Sequence, residues 1–174
     1  MRTIPVVLVL VFAVCSTRAS ELSLVGGRAS SENLLADGQS IKLRDYSLFG
    51  ARFEKDFLFI LGFENSLLFG RRLLTPIDSE GNDGLYYNAS FVLNFSSASV
   101  APNVAFGIGF LYRFGGTFPK SGFSFLTNFG GGLKLRELLG PMGLRLDYRR
   151  LKFYGIQGSS VATNEFSGGA VFAF

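Results

Sequence analysis

The chain reads as an all-β protein, an eight-stranded antiparallel up-and-down transmembrane β-barrel. Three observations predict this. Mean hydropathy is positive at +0.32, yet no apolar run reaches the roughly 20 residues that a spanning helix needs. Eight segments alternate large apolar residues with small or polar ones, which is the period of a strand. The connections between them alternate between short ones and longer, more polar ones, as hairpins threaded through a membrane do.

The first 19 residues stand apart. Arg2 gives one positive charge, Ile4 to Cys15 is an apolar run of 12 residues, and Thr17 and Ala19 are small. That is the plan of a secretory signal peptide, with cleavage expected after Ala19. Residues 20–174 form the barrel domain. The lipoprotein alternative uses Cys15 as lipid acceptor, although Val14 before it is larger than such a site accepts. Cys15 is the single cysteine, so the exported chain has no disulfide and no thiol chemistry. Losing Arg2 and Arg18 lowers the formal charge from +4 to +2. With no basic run, that excludes nucleic acid as a partner.

Glu21 to Ala29 is the first segment, with Leu22 and Leu24 against Ser23 and Val25. Ser30 to Lys42 is a polar connection with a turn signal at Asp37-Gly38. Leu43 to Glu54 is the second segment; Phe49, Ala51 and Phe53 oppose Leu48, Gly50, Arg52 and Glu54. Lys55-Asp56 is its turn. Phe57 to Arg71 follows, then the acidic loop Arg72 to Asp83. Gly84 to Phe95 sets Leu85, Tyr87, Phe91 and Leu93 against Tyr86, Asn88, Ser90 and Asn94. Two sequons inside it, at Asn88 and Asn94, are read as chance. Ser96 to Pro102 is a small turn. Asn103 to Phe114 has the cleanest alternation, with Val104, Phe106, Ile108, Phe110, Tyr112 and Phe114 on one face. Gly115 to Ser121 is a loop. Gly122 to Arg136 contains Gly130-Gly131-Gly132. That run lacks the helix and the Lys-Ser/Thr of a phosphate loop, so it reads as a bend or a close packing partner. Glu137 to Pro141 is a short turn. Met142 to Tyr154 is the seventh segment, Gly155 to Thr163 a Gly- and Ser-rich loop, and Asn164 to Phe174 the eighth segment.

The two faces differ in kind. One carries Phe, Leu, Ile, Val and Tyr with no charge at mid-strand, and Tyr87, Tyr112 and Tyr148 on it suit an aromatic girdle. The other is Gly, Ser, Ala and Asn with isolated charges: Arg52, Glu54, Glu64, Lys134, Arg136, Arg145, Asp147, Arg149 and Glu165. A water-covered face should carry more charge than this. A narrow barrel lumen suits it, with opposite charges paired, because a lone buried charge costs several kcal/mol. Glu64, Asp147 and Glu165 are the expected anchors for Arg52, Arg145 and Arg149. Arg71, Arg72, Arg113, Lys120, Arg150 and Lys152 fall near the loop ends, a basic rim for lipopolysaccharide phosphates or simply snorkelling side chains.

Four stretches carry a family likeness: Pro102 to Gly109, Phe129 to Leu133, Leu144 to Arg149, and Asn164 to Phe174. Together they resemble the OmpA/OmpX-like outer-membrane β-barrel domain family, more closely in the C-terminal half than in the N-terminal half. The resemblance implies the outer membrane of a diderm bacterium and does not imply one activity. It also implies that the aromatic ending, with Phe166, Phe172 and Phe174, is the signal read by the barrel-assembly machinery.

Function is bounded by what is missing. The chain has no His, so the His-dependent hydrolytic and acyl-transfer sites of that compartment have no usual form here. Neither a cofactor nor a metal site is expected, and the chain is not read as an enzyme. The expectation is a monomeric barrel with a plugged lumen and a structural or surface-interaction role, in contact with outer-membrane lipid and lipopolysaccharide. The alternatives are a small pore for ions or small solutes, and a soluble lipocalin-like ligand binder with its Phe-rich face turned inward.

Overall fold

Residues 20–36, 39–58, 60–77, 81–95, 99–115 and 121–174 are described by a computed structural model. The signal-peptide segment, Lys120 and the Asp37-Gly38 turn lie outside them. Among the described residues ten strands form: β1 (Ser20–Ser31), β2 (Leu34–Ala36), β3 (Gln39–Ile41), β4 (Tyr46–Asp56), β5 (Leu61–Arg71), β6 (Asp83–Asn94), β7 (Val100–Phe114), β8 (Gly122–Leu139), β9 (Met142–Ile156) and β10 (Ser159–Ala173). Eight of them close a barrel in the order β1-β10-β9-β8-β7-β6-β5-β4, and β2 pairs only with β3. Every barrel pair is antiparallel.

The stagger follows from the register. Starting at Arg71 on β5, the hydrogen-bonded row runs through Ser47, Arg28, Phe166, Tyr148, Gly131, Val104 and Leu93. It returns to β5 at Leu61, ten residues below its start. Such a shear in eight strands tilts them by about 40° and leaves a lumen that side chains fill. The two ends of the described barrel, Ser20 and Phe174, meet at one end of it, where Ser20 N–H donates to Phe174 O at 2.9 Å.

Closure needs small residues where strands curve. A Cβ on Gly130 would stand 2.2 Å from the Tyr148 carbonyl oxygen, and one on Gly132 would stand 2.4 Å from that of Leu146. The glycine run therefore permits close approach between β8 and β9.

The aromatic face is outside. Phe106, Phe125 and Phe129 are 47–63 % exposed, whereas Arg145 and Asp147 are 1 % and 5 % exposed. This orientation overturns the lipocalin-like alternative, which needs those rings around an internal ligand. Rings on neighbouring strands meet along the outer wall, as in Tyr112–Phe123 at 4.7 Å and Phe91–Phe106 at 5.8 Å between centroids.

Several expected boundaries move. Lys55 and Asp56 are still paired, with Phe63 and Gly62, so the turn lies beyond them and exposes Phe57, Leu58 and Ile60. Leu43 is not in the second strand; it forms a lone bridge with Pro76. The connection after β1 holds the small β2–β3 hairpin. Gly155 to Thr163 is not a loop. β9 and β10 run on to a two-residue turn at Gln157-Gly158, where φ is 52° and 77°. Two successive positive φ values give the primed turn that matches strand twist, so the last hairpin stays paired. The short/long alternation therefore fails at this connection.

An outward position on β7 gives a direct check of the orientation. Ile108→Arg is expected to destabilise the lipid-embedded barrel by roughly 2–4 kcal/mol, read from urea unfolding in phospholipid vesicles.

Candidate functional site: the barrel interior

Inward positions form three zones along the lumen. At the end holding the termini, ionic side chains fill it. Lys134 Nζ lies 2.7 Å from Glu54 Oε1 and 2.8 Å from Glu21 Oε2. Arg136 Nε lies 2.5 Å from Glu21 Oε1 and its Nη2 is 3.7 Å from Asp56 Oδ2. Asn94 donates to Glu54 at 2.8 Å and to Asp56 at 3.1 Å.

One turn higher the guanidiniums interleave with carboxylates. Arg145 Nε lies 2.5 Å from Asp147 Oδ2, and its Nη2 lies 2.5 Å from Glu64 Oε2. Arg149 Nη2 reaches the other Glu64 oxygen at 2.8 Å. Arg52 lies 2.9 Å from Asp147 Oδ2, pairs with Glu165, and donates to Ser167 Oγ at 3.1 Å. Tyr86 donates its hydroxyl to the second Glu165 oxygen at 2.9 Å. Five strands supply these groups: β4, β5, β6, β9 and β10. Their spacing of two residues along β9 (Arg145, Asp147, Arg149) is what aims all three at the lumen.

A neutral polar layer sits beside them on β6 and β8. Asn128 Nδ2 donates to Asn88 Oδ1 and to Ser90 Oγ, both at 3.2 Å. Beyond this the lumen turns apolar. Leu48, Leu68, Leu111, Leu126, Leu151 and Phe153 are buried inside the barrel. Leu34, Leu43, Leu73 and Leu74 close over them from the loops. The closing loops are fixed by backbone bonds, Arg44 N–H to Thr75 O at 2.8 Å and Ile77 N–H to Lys42 O at 3.3 Å.

The nine charged residues singled out in the sequence all lie inward; eight of them touch one another, and Arg136 joins them through Glu21. Period-two counting does not find Glu21 and Asp56, which complete the network, because both stand at strand ends where the pattern fades. Tyr86 was on the inward face but had no partner legible in the sequence. The apolar outer half was not anticipated; its signal was present, since Leu151 and Phe153 share the parity of Arg149. Arg113 is a correction. It was placed on the basic rim, but it is buried inside the barrel mouth, with Nη2 3.3 Å from Ser124 Oγ, because it continues the inward parity of Leu111. Arg71, Arg72, Arg150 and Lys152 are exposed. Among the described residues no group of three His, Cys, Asp or Glu side chains is arranged to hold a metal ion.

No protein-family model matches the chain, and no curated sequence matches it. Solved structures do. Neisserial surface protein A superposes with a TM-score of 0.66 at 12 % identity, covering 91 % of this chain and 100 % of that one. The outer-membrane enzyme PagL gives 0.58 at 17 %, covering 86 % and 97 %. The outer-membrane protein OprG of Pseudomonas aeruginosa gives 0.54 at 12 %, covering 91 % and 98 %. The fold is that of the small eight-stranded outer-membrane barrels, the OmpA/OmpX-like architecture. Since an enzyme shares it, the fold alone does not decide catalysis.

Breaking the network should be costly. Arg145→Met leaves Glu64 and Asp147 short of a counter-ion, and a loss of about 3–5 kcal/mol is expected. Glu64→Gln together with Arg145→Met should lose less than the two single changes added. A double-mutant cycle of urea-unfolding free energies reads this coupling.

Proposed function

We propose that this chain is a small integral barrel of the bacterial outer membrane with a closed lumen, a structural or surface-interaction role and no catalytic activity. One observation carries the reading: buried apolar side chains fill the outer half of the lumen above a salt-bridged ionic layer. A hydrated path would need to cross both. Leu151 and Phe153 have no water-facing surface, and Leu73 and Leu74 seal the mouth. The absence of His supports the non-catalytic reading.

In this reading the terminal end faces the periplasm, and the connections after β1, β5 and β7 face outward. The outer surface meets lipid and lipopolysaccharide, with exposed Arg71, Arg72, Arg150 and Lys152 near phosphate level. Phe166 and Phe174 project outward from the last strand and, with Phe172, serve the barrel-assembly machinery. The protein acts as a monomer. A small pore is the second reading, favoured by the charged layer at the periplasmic end.

Planar-bilayer recording of the refolded protein separates the two. The closed lumen predicts no discrete conductance steps. Steps that change in size when Lys134 or Arg52 is neutralised would establish the pore instead.

A further inference from the structure

The apolar belt has unequal height around the barrel. On β7 the outward positions Val104, Phe106, Ile108, Phe110, Tyr112 and Phe114 run ten residues without a charge. On β1 the outward run is Leu22, Leu24 and Gly26, and Arg28 follows. On β9 it is Met142, Leu144, Leu146 and Tyr148, followed by Arg150 and Lys152. On β10 it ends at Phe166, before Asn164. A tilted strand climbs roughly 2.5 Å per residue along the barrel axis. The belt is then roughly 25 Å tall on β7, the height of an ordinary outer-membrane band, roughly 10 Å on β1 and roughly 15 Å on β9.

The stagger confirms that this is a real difference in level. From Asn164 the row runs through Arg150 and Phe129 to Phe106. Ten residues lost over eight strands means that three strands lose a little under four residues. Phe110, four residues above Phe106, therefore stands level with Asn164. At one height, one wall presents Phe110 beside Tyr87, with ring centroids 5.4 Å apart. The other presents Asn164, which accepts a hydrogen bond from Tyr148 at 3.0 Å, beside Arg150.

We propose that the β9–β10–β1 wall thins the bilayer locally and draws lipid phosphate headgroups down to Arg28, Arg150 and Lys152. The inference rests on the membrane-spanning reading above. Arg28 is well exposed, with Asp45 at 3.9 Å. Arg150 is paired with Glu32 yet remains half exposed. Among the described residues Lys152 Nζ pairs with no carboxylate and lies over the Tyr154 ring, 5.3 Å from its centroid. Three cations against two acids leave a positive surplus that matches phosphate. Tilting the whole barrel does not remove the mismatch. Lifting the short wall would pull its terminal edge, at Ser20 and Phe174, into hydrocarbon. Bilayer deformation costs only fractions of a kcal/mol per Å, whereas a charge in the hydrocarbon costs more than that.

The chain has no Trp, so single-Trp variants report depth without background. Phe110→Trp, Asn164→Trp, Leu22→Trp and Val104→Trp are placed in vesicles of phosphatidylcholine and phosphatidylglycerol. Quenchers are brominated acyl chains and a headgroup spin label. The expected result is acyl-chain quenching for Phe110→Trp, headgroup quenching for Asn164→Trp, and similar depths from the periplasmic side for the other two. Adding Arg28→Gln and Arg150→Gln should weaken the headgroup quenching of Asn164→Trp. Equal depth for Phe110→Trp and Asn164→Trp overturns the proposal. So does a deep Leu22→Trp, which signals tilt, or an Asn164→Trp shielded from every quencher, which signals a second copy on this wall. If no variant is quenched by brominated chains, the membrane-spanning reading itself has failed.

Discussion

A charge buried at the centre of a narrow lumen needs a counter-charge, and this constraint orders most of what the barrel does; Arg113, nearer the mouth and held by the Ser124 hydroxyl, is the exception. Arg52, Arg145 and Arg149 are buried at its centre, where Glu64, Asp147 and Glu165 neutralise them. These pairs join β4, β5, β9 and β10 across the lumen, so closure and charge pairing depend on each other. Losing one guanidinium would leave carboxylates stranded among side chains that offer no water. At the level of this ionic layer the large apolar residues have one place to go, which is outward.

An outward apolar wall and an inward ionic one invert the plan of a soluble domain. Hydrocarbon solvates the outer face, so Phe and Leu there face no penalty. Inside, two kinds of matter divide the lumen. The terminal half is held by charge, and the loop half by Leu, Phe153 and Ile156. In the proposed function, an apolar seal over a salt-bridged layer closes the lumen in two different ways. Wherever partner recognition occurs, it falls to the loops and the outer wall.

Much of this was legible in the sequence because strand parity is a strict rule. Once β9 is read as a strand, Arg145, Asp147 and Arg149 must share a face, and Phe129 must oppose Lys134. What parity cannot give is distance. Glu21 and Asp56 sit at strand ends, where alternation gives no warning of a partner 113 residues away, as between Lys134 and Glu21. Gly155 to Thr163 looked like a loop because Gly and Ser dominate it. The backbone at Gln157-Gly158 takes left-handed angles and keeps both strands paired instead. Arg113 looked like a rim cation because it lies near a loop, yet its parity with Leu111 turns it inward. The unequal belt is invisible along any single strand and appears only when the stagger relates β10 to β7.

The orientation of the two faces is the claim on which the rest stands. It is tested most directly by methyl NMR of the protein in lipid nanodiscs, with a fatty-acid spin label dissolved in the hydrocarbon. The outward methyls of Ile108, Leu144 and Leu146 should broaden strongly, while those of Leu68, Leu126 and Leu151 stay sharp. Equal broadening of both sets, or loss of the Leu126 and Leu151 signals first, would contradict an apolar exterior around a packed interior.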